Sequence, residues 1–155
     1  MPCINHYIKQ YSKKFSKHKT IVEKSVRELV EVLDRVFSEY IRLKDADDQG
    51  YCTCVTCGKA YHWKEIHCGH FIGRANKAVR FEELNTAPQC VRCNSFRGGE
   101  HHIYRMYLIN KHGKEIIEEL EHKAMLGGSY DRFWLQQKII EYRRKVRQLK
   151  QEKGL

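Results

Sequence analysis

Cys54-Val55-Thr56-Cys57-Gly58 and Cys90-Val91-Arg92-Cys93-Asn94, with 32 residues between the two cysteine pairs, decide how this chain of 155 residues is organised. Two residues between thiols let a tight turn aim both sulfurs at one ion, and two such pairs supply the four thiolates of a tetrahedral Zn²⁺ site. Gly58 follows the first pair, where a residue that accepts positive φ completes the turn. A single C-x-x-C is as readily a redox pair or two buried thiols; two of them favour structural zinc. Cys52 offers a competing register, Cys52-Thr53-Cys54, but one-residue spacing makes a poorer chelate and no glycine follows it. Cys68, alone between His67 and Gly69, reads as a small core residue ahead of a spare ligand, and Cys3 has no partner in sequence.

Outward from this middle the charge is uneven. The chain carries 29 Lys and Arg against 19 Asp and Glu, for +10 overall; residues 1–44 contribute +5, residues 45–100 zero and residues 101–155 +5. That balance says nothing about fold, but it favours polyanionic partners such as nucleic acid. The length suits one domain that needs no crosslinks to fold, and 41% hydrophobic residues with only Pro2 and Pro88 argue against a wholly disordered chain. No apolar run approaches the roughly 18 residues of a membrane-spanning helix. Met1-Pro2-Cys3-Ile4-Asn5-His6 has neither the apolar core nor the cleavage site of a signal peptide. The expected setting is a reducing cytoplasm, where cysteines serve metal or catalysis rather than disulfides.

The basic segments on either side read as helical arms around the cysteine-rich part. Residues 1–19 include Lys13-Lys14-Phe15-Ser16-Lys17-His18-Lys19 and are expected to be a flexible basic stretch. Residues 20–49 open with Thr20-Ile21-Val22-Glu23, the form of a capping box. Val22, Val26, Leu29, Leu33, Val36 or Phe37, Tyr40 and Leu43 then mark one face of a long amphipathic helix. Residues 101–155 read as two or three helices: Ile103, Tyr104, Tyr107 and Leu108 on one stripe, Gly113 as a cap, a stop at Gly127-Gly128, and a seven-residue rhythm through Leu135, Ile139, Tyr142, Val146 and Leu149. Core packing is the ordinary reason for such stripes, although the last resembles a short coiled-coil seam that could join two copies.

Between the cysteine pairs stands a second set of chemical residues: His67-Cys68-Gly69-His70-Phe71, Arg74, Arg80-Phe81 and Asn85, then Gln89 before the second pair, Asn94 after it, and Gly98-Gly99. The order of knuckle, histidine, loop asparagine, knuckle and immediate asparagine resembles HNH (ββα-metal) endonucleases. In particular it is similar to the NinG family, also called Rap, of lambdoid phage recombination proteins, over roughly residues 30 to 122, with Arg105, Leu108 and Gly113 in the trailing helix.

The resemblance implies an α+β, mainly helical fold, with a zinc-braced ββα core at residues 50–100 flanked by long amphipathic helices. It implies a DNA endonuclease acting on branched recombination intermediates such as Holliday junctions and D-loops, in the cytoplasm of a bacterial host. By the same resemblance Cys54, Cys57, Cys90 and Cys93 hold structural Zn²⁺, His70 is the general base and Asn85 orients it by a hydrogen bond from the loop. Asn94 offers its amide oxygen to a catalytic Mg²⁺ or Mn²⁺. HNH proteins often carry a metal ligand directly before the base, but this chain has Gly69, which leaves His67 as the replacement. In a regular strand positions 67 and 70 face opposite sides; a bulge at Gly69 could bring both imidazoles to one face, and the roles of the two histidines can be exchanged. Arg74, Lys77, Arg80, Arg92 and Arg97 lie close to this set, and Arg143 and Arg144 belong to a basic run in the last helix. Solvated surface charge is the usual fate of such residues; phosphate contact is the functional reading. A homodimer fits the symmetric cutting of a four-way junction. A zinc-braced nucleic-acid-binding protein without catalysis is the competing class, and a zinc-organised dimerisation scaffold a third that leaves the basic arms unexplained.

Overall fold

The computed structural model describes residues 20–155; the basic stretch at 1–19 lies outside the described residues. Among the described residues are four α-helices and two small antiparallel sheets: α1 (Val26–Lys44), β1 (Tyr51–Thr53), β2 (Ala60–His62), β3 (His67–His70), β4 (Thr86–Gln89), α2 (His101–His112), α3 (Glu115–Met125) and α4 (Arg132–Lys153).

The expected capping box at Thr20 exists, with Glu23 reaching back to the Thr20 N–H at 2.7 Å, but it closes only a short 3₁₀ turn. A second box, in which the Glu28 carboxylate accepts from the Ser25 N–H at 2.7 Å, starts the long helix. Lys24 is extended between them. Val22 and Val26 therefore fall off the expected face and are exposed, while Val32 and Ile41, absent from the expected stripe, join Leu29, Leu33, Phe37 and Leu43 in the interior. The reason is that α1 is covered on two sides: by α4 along one flank and by β3 and β4 on another.

The seven-residue rhythm of α4 is spent on α1. Leu135, Ile139 and Tyr142 share a buried cluster with Leu29, Leu33 and Phe37, and Tyr142 sets its ring edge against Phe37 at 5.1 Å. Arg132 donates to the carbonyls of Val22 and Lys24, Lys150 pairs with Glu39, and Lys153 donates to the carbonyls of Leu43 and Lys44. These pairs advance together along both helices, so the two arms run side by side in the same direction and form one layer. Gly113 (φ +90°) ends α2 as expected, its N–H donating to the Ile109 carbonyl, and Asp131 caps α4. Ile103, expected on the α2 stripe, is 43% exposed.

β1 and β2 form a hairpin whose loop is the first cysteine knuckle, and β3 pairs β4 in the order His67–Gln89, Cys68–Pro88, Gly69–Ala87 and His70–Thr86. The chain between β3 and β4 is fastened to both arms by the Glu83 carboxylate. It accepts from Tyr40 (3.0 Å) and Lys44 (3.1 Å) on α1 and from Tyr142 (3.2 Å) and Lys145 (3.2 Å) on α4. Burial alone would raise the Glu83 pKa, but the two ammonium groups hold it below the usual carboxylate range.

Candidate functional site

The four cysteines of the two knuckles converge. The sulfurs of Cys54, Cys57, Cys90 and Cys93 all lie within 4.8 Å of one another, with Cys57 and Cys90 3.9 Å apart. A tetrahedron with Zn–S bonds of about 2.3 Å separates its corners by about 3.8 Å, so this cluster can hold a zinc ion. Each knuckle closes in the same way, with the Gly58 N–H on the Cys54 carbonyl and the Asn94 N–H on the Cys90 carbonyl, both at 2.9 Å. Gly58 adopts φ +70°, the conformation its turn requires. Although burial opposes ionisation, the Cys90 N–H and the Thr56 hydroxyl pull the Cys54 thiol down to about 6. Cys52 stands outside the cluster, bonded to the Arg42 carbonyl, and burial pushes its thiol up to about 11. Cys68 likewise packs against the α1–α4 core.

Beside this cluster a cleft of about 500 Å³ is lined by Ser38, His67, Cys68, His70, Gly73, Arg74, Asn94 and Ser95. The expected bulge at Gly69 does not form; every residue of β3 has a single partner on β4. His67 and His70 border one cleft nonetheless, because the cleft takes residues from both faces of β3, whose second edge has no partner strand among the described residues. Gly69 is glycine for another reason: a Cβ there would lie 2.5 Å from Oε1 of the fully buried Gln89. The Tyr104 hydroxyl, from α2, donates to the Gly69 carbonyl at 3.1 Å.

Asn94 and His67 meet, with the Asn94 amide 3.2 Å from Nδ1 of His67. Asn85 does not bond His70. Its buried amide accepts from the Ile72 N–H at 2.8 Å and donates to the carbonyls of Ile72 and Val79 at 2.9 and 3.0 Å, while its own carbonyl accepts from the Phe71 N–H. At about 1 kcal/mol net each, those three side-chain bonds fix the loop rather than the imidazole. The group that holds His70 is the Arg80 carbonyl, 3.0 Å from Nε2. Arg80 in turn grips Asp34 of α1 through Nε at 2.9 Å and through Nη2. Desolvation lowers the His70 pKa, with Arg74 adding to the effect and the carbonyls of Arg80 and Cys68 partly offsetting it.

Among the expected phosphate contacts, Arg80 is thus committed to Asp34, and Arg97 pairs with Glu100 at 3.0 Å. Arg74, Lys77 and Arg92 are exposed, as are Arg143 and Arg144 on α4. Sequence reasoning missed Asp34, which holds Arg80, and Ser38, both on the polar side of a helix whose spacing gives no hint of a cleft, and Ser95 beyond the second knuckle.

Fold and site together define a mixed α/β protein with a cysteine cluster that can bind zinc and, among the described residues, no helix long and apolar enough to cross a membrane. The chain belongs to the NinG family: the family model described as the bacteriophage lambda NinG protein matches residues 5–152. It is 35% identical over 85 residues to the ninG protein of Escherichia phage 933W, a stretch covering 53% of this chain and 39% of that protein. The ninG proteins of Escherichia phage lambda and Salmonella phage P22 are 34% and 33% identical over 85 residues, each covering 53% of this chain and 38% of the relative. The match therefore spans about two-fifths of the length of these curated relatives. No solved structure matches the chain.

Proposed function

We propose that the chain is a metal-dependent DNA endonuclease of the HNH (ββα-metal) type, which hydrolyses phosphodiesters in the branched DNA of phage recombination, such as Holliday junctions and D-loops, in the cytoplasm of a bacterial host. The observation that carries this reading is the cleft itself: a half-buried imidazole anchored at one nitrogen, facing an Asn–His pair and an exposed arginine, beside a metal-ready cysteine cluster. With its Nε2–H directed at the Arg80 carbonyl, His70 keeps a lone pair on Nδ1. That nitrogen takes the proton of the attacking water, and the lowered pKa keeps it unprotonated at cellular pH. Asn94 and His67 present an amide oxygen and an imidazole nitrogen close enough to share one ion after the amide turns over. Those two residues would hold Mg²⁺ or Mn²⁺, which would supply positive charge to stabilise the scissile phosphate and the leaving oxygen. Arg74 steadies the phosphate, and Lys77, Arg92, Arg143 and Arg144 hold neighbouring backbone. The role of Asn85 becomes indirect: it shapes the loop that carries Arg80. Zinc on Cys54, Cys57, Cys90 and Cys93 is structural, fixing the turn that displays Asn94.

Cleavage of matched linear, forked and four-way DNA with Mg²⁺ or Mn²⁺ tests this. His70→Ala is expected to keep zinc and DNA binding while cutting falls by at least ~100-fold, the usual size of a general-base contribution. Undiminished cutting by that variant removes His70 as the base. Absence of cutting by the unmodified protein with either metal leaves a zinc-braced DNA-binding module.

A further inference from the structure

The turn Arg92–Phe96 after the second knuckle carries an aromatic ring that the fold does not use. Phe96 is 80% exposed and belongs to none of the buried clusters, unlike Phe71, which packs among Tyr104 and Leu108, and Phe81, which sets its ring edge against Phe37. Its backbone, by contrast, is held on both sides. Asn94 donates to Cys90, Arg97 to Arg92 and Gly99 to Cys93, all at 2.9–3.0 Å, and the Gln89 amide donates to the Gly99 carbonyl at 2.7 Å. The two residues before it, Asn94 and Ser95, line the cleft. Met125, Leu126 and Phe133 are also exposed, but they lie at the end of α3, on the α3–α4 connection and in the first turn of α4, outside the cleft lining.

We infer that Phe96 is a specificity residue, a rigidly mounted ring that stacks on a base face uncovered at a DNA branch while the scissile phosphate lies in the adjoining cleft. In continuous duplex each base face is covered by its neighbours, leaving a protein only groove edges and backbone. At a branch a base face is open, and an aromatic side chain can cover it without regard to base identity. The surroundings suit a polyanion: Arg92 in the same turn is exposed with no ion pair among the described residues, and the exposed Arg74 borders the cleft. This rests on the nuclease reading for its DNA, but its experiment reads binding, so the two fail separately.

The test compares unmodified protein, Phe96→Ala and Phe96→Trp on a fork, a four-way junction and a matched linear duplex, with 2-aminopurine at the branch. Phe96→Ala is expected to weaken binding to both branched forms about tenfold, within the range of one lost base–aromatic stack. Linear-duplex binding, zinc content and melting temperature should be unchanged, and the 2-aminopurine response should disappear. Phe96→Trp should restore affinity and the 2-aminopurine response. Branched-DNA affinity that survives Phe96→Ala, or a loss of equal size on linear duplex, overturns the inference. If branch discrimination depends on Phe96 but the unmodified protein cuts nothing, the inference stands and the nuclease reading falls.

Discussion

His70 reaches its place through a relay that starts 36 residues earlier on α1: Asp34 holds the Arg80 guanidinium, and the Arg80 carbonyl holds Nε2. A neutral imidazole suits this seat, since protonation would have to be tolerated in a desolvated spot near Arg74. The native pKa lies below the ordinary ~6.5, so protons favour the unfolded chain. The stability this group contributes is complete above ~6.5 and is lost as pH falls through the lowered native value. The acid limb of the cleavage rate is accordingly expected to have its midpoint below pH 6.5 in single-turnover assays at saturating metal. A midpoint above that value removes either the lowered pKa or the assignment of the base. That His67, His70 and Asn94 belong together was suggested by their order around the two knuckles, and the structure places all three on one cleft. The partner that holds His70 was not legible, because a backbone carbonyl has no sequence signature and the Arg80–Asp34 pair joins residues 46 apart.

At the scale of elements, the knuckles were read in the right register because C-x-x-C spacing is itself a geometric statement. Helix phases were read less well. Periodicity assumes one buried side, whereas α1 is covered along two, which brought Val32 and Ile41 inside and left Val26 at the surface. The strand was read with a bulge it does not need, since pleat alternation does not foresee a cleft that takes side chains from both faces of β3. The short strand pairs have few ladder bonds of their own, so a zinc ion held by the cysteine cluster would carry much of their order. Stripping the ion with a chelator is expected to lower the melting temperature by about 10 °C or more, because at this chain length each kcal/mol moves Tm by ~2–4 °C and structural zinc binding supplies several. Cys93→Ser should do the same. Calorimetry that shows no change after complete removal assigns the four cysteines to ordinary packing.

For the whole molecule, the basic arms were expected to flank the middle. In the structure these arms, α1 and α4, also join each other, and Glu83 bolts the middle to both. The coiled-coil-like seam of α4 is thereby consumed within one chain, so a homodimer suited to symmetric cutting would have to use outward residues, of which Phe133 and Ile140, 69% and 54% exposed, are examples on α4. Light scattering with four-way DNA is expected to show two chains per junction; a single chain per junction removes the dimer. Charge by thirds was legible from the sequence, but which cations remain free was not. Arg80 and Arg97 look identical to Arg74 and Arg92 until their acidic partners are placed.

The side-by-side course of α1 and α4 also sets an order of assembly. Their contacts join residues about 110 apart, such as Lys150 with Glu39 and Arg132 with Val22, and contacts of such long separation close late in folding. The knuckles and hairpins lie wholly between them, so a metal ion captured by the four cysteines would shorten the loop that must close before the helices can meet. During synthesis the apolar flank of α1 stays uncovered until α4 has left the ribosome, which makes the interval between those two events the moment at which this chain is most open to aggregation.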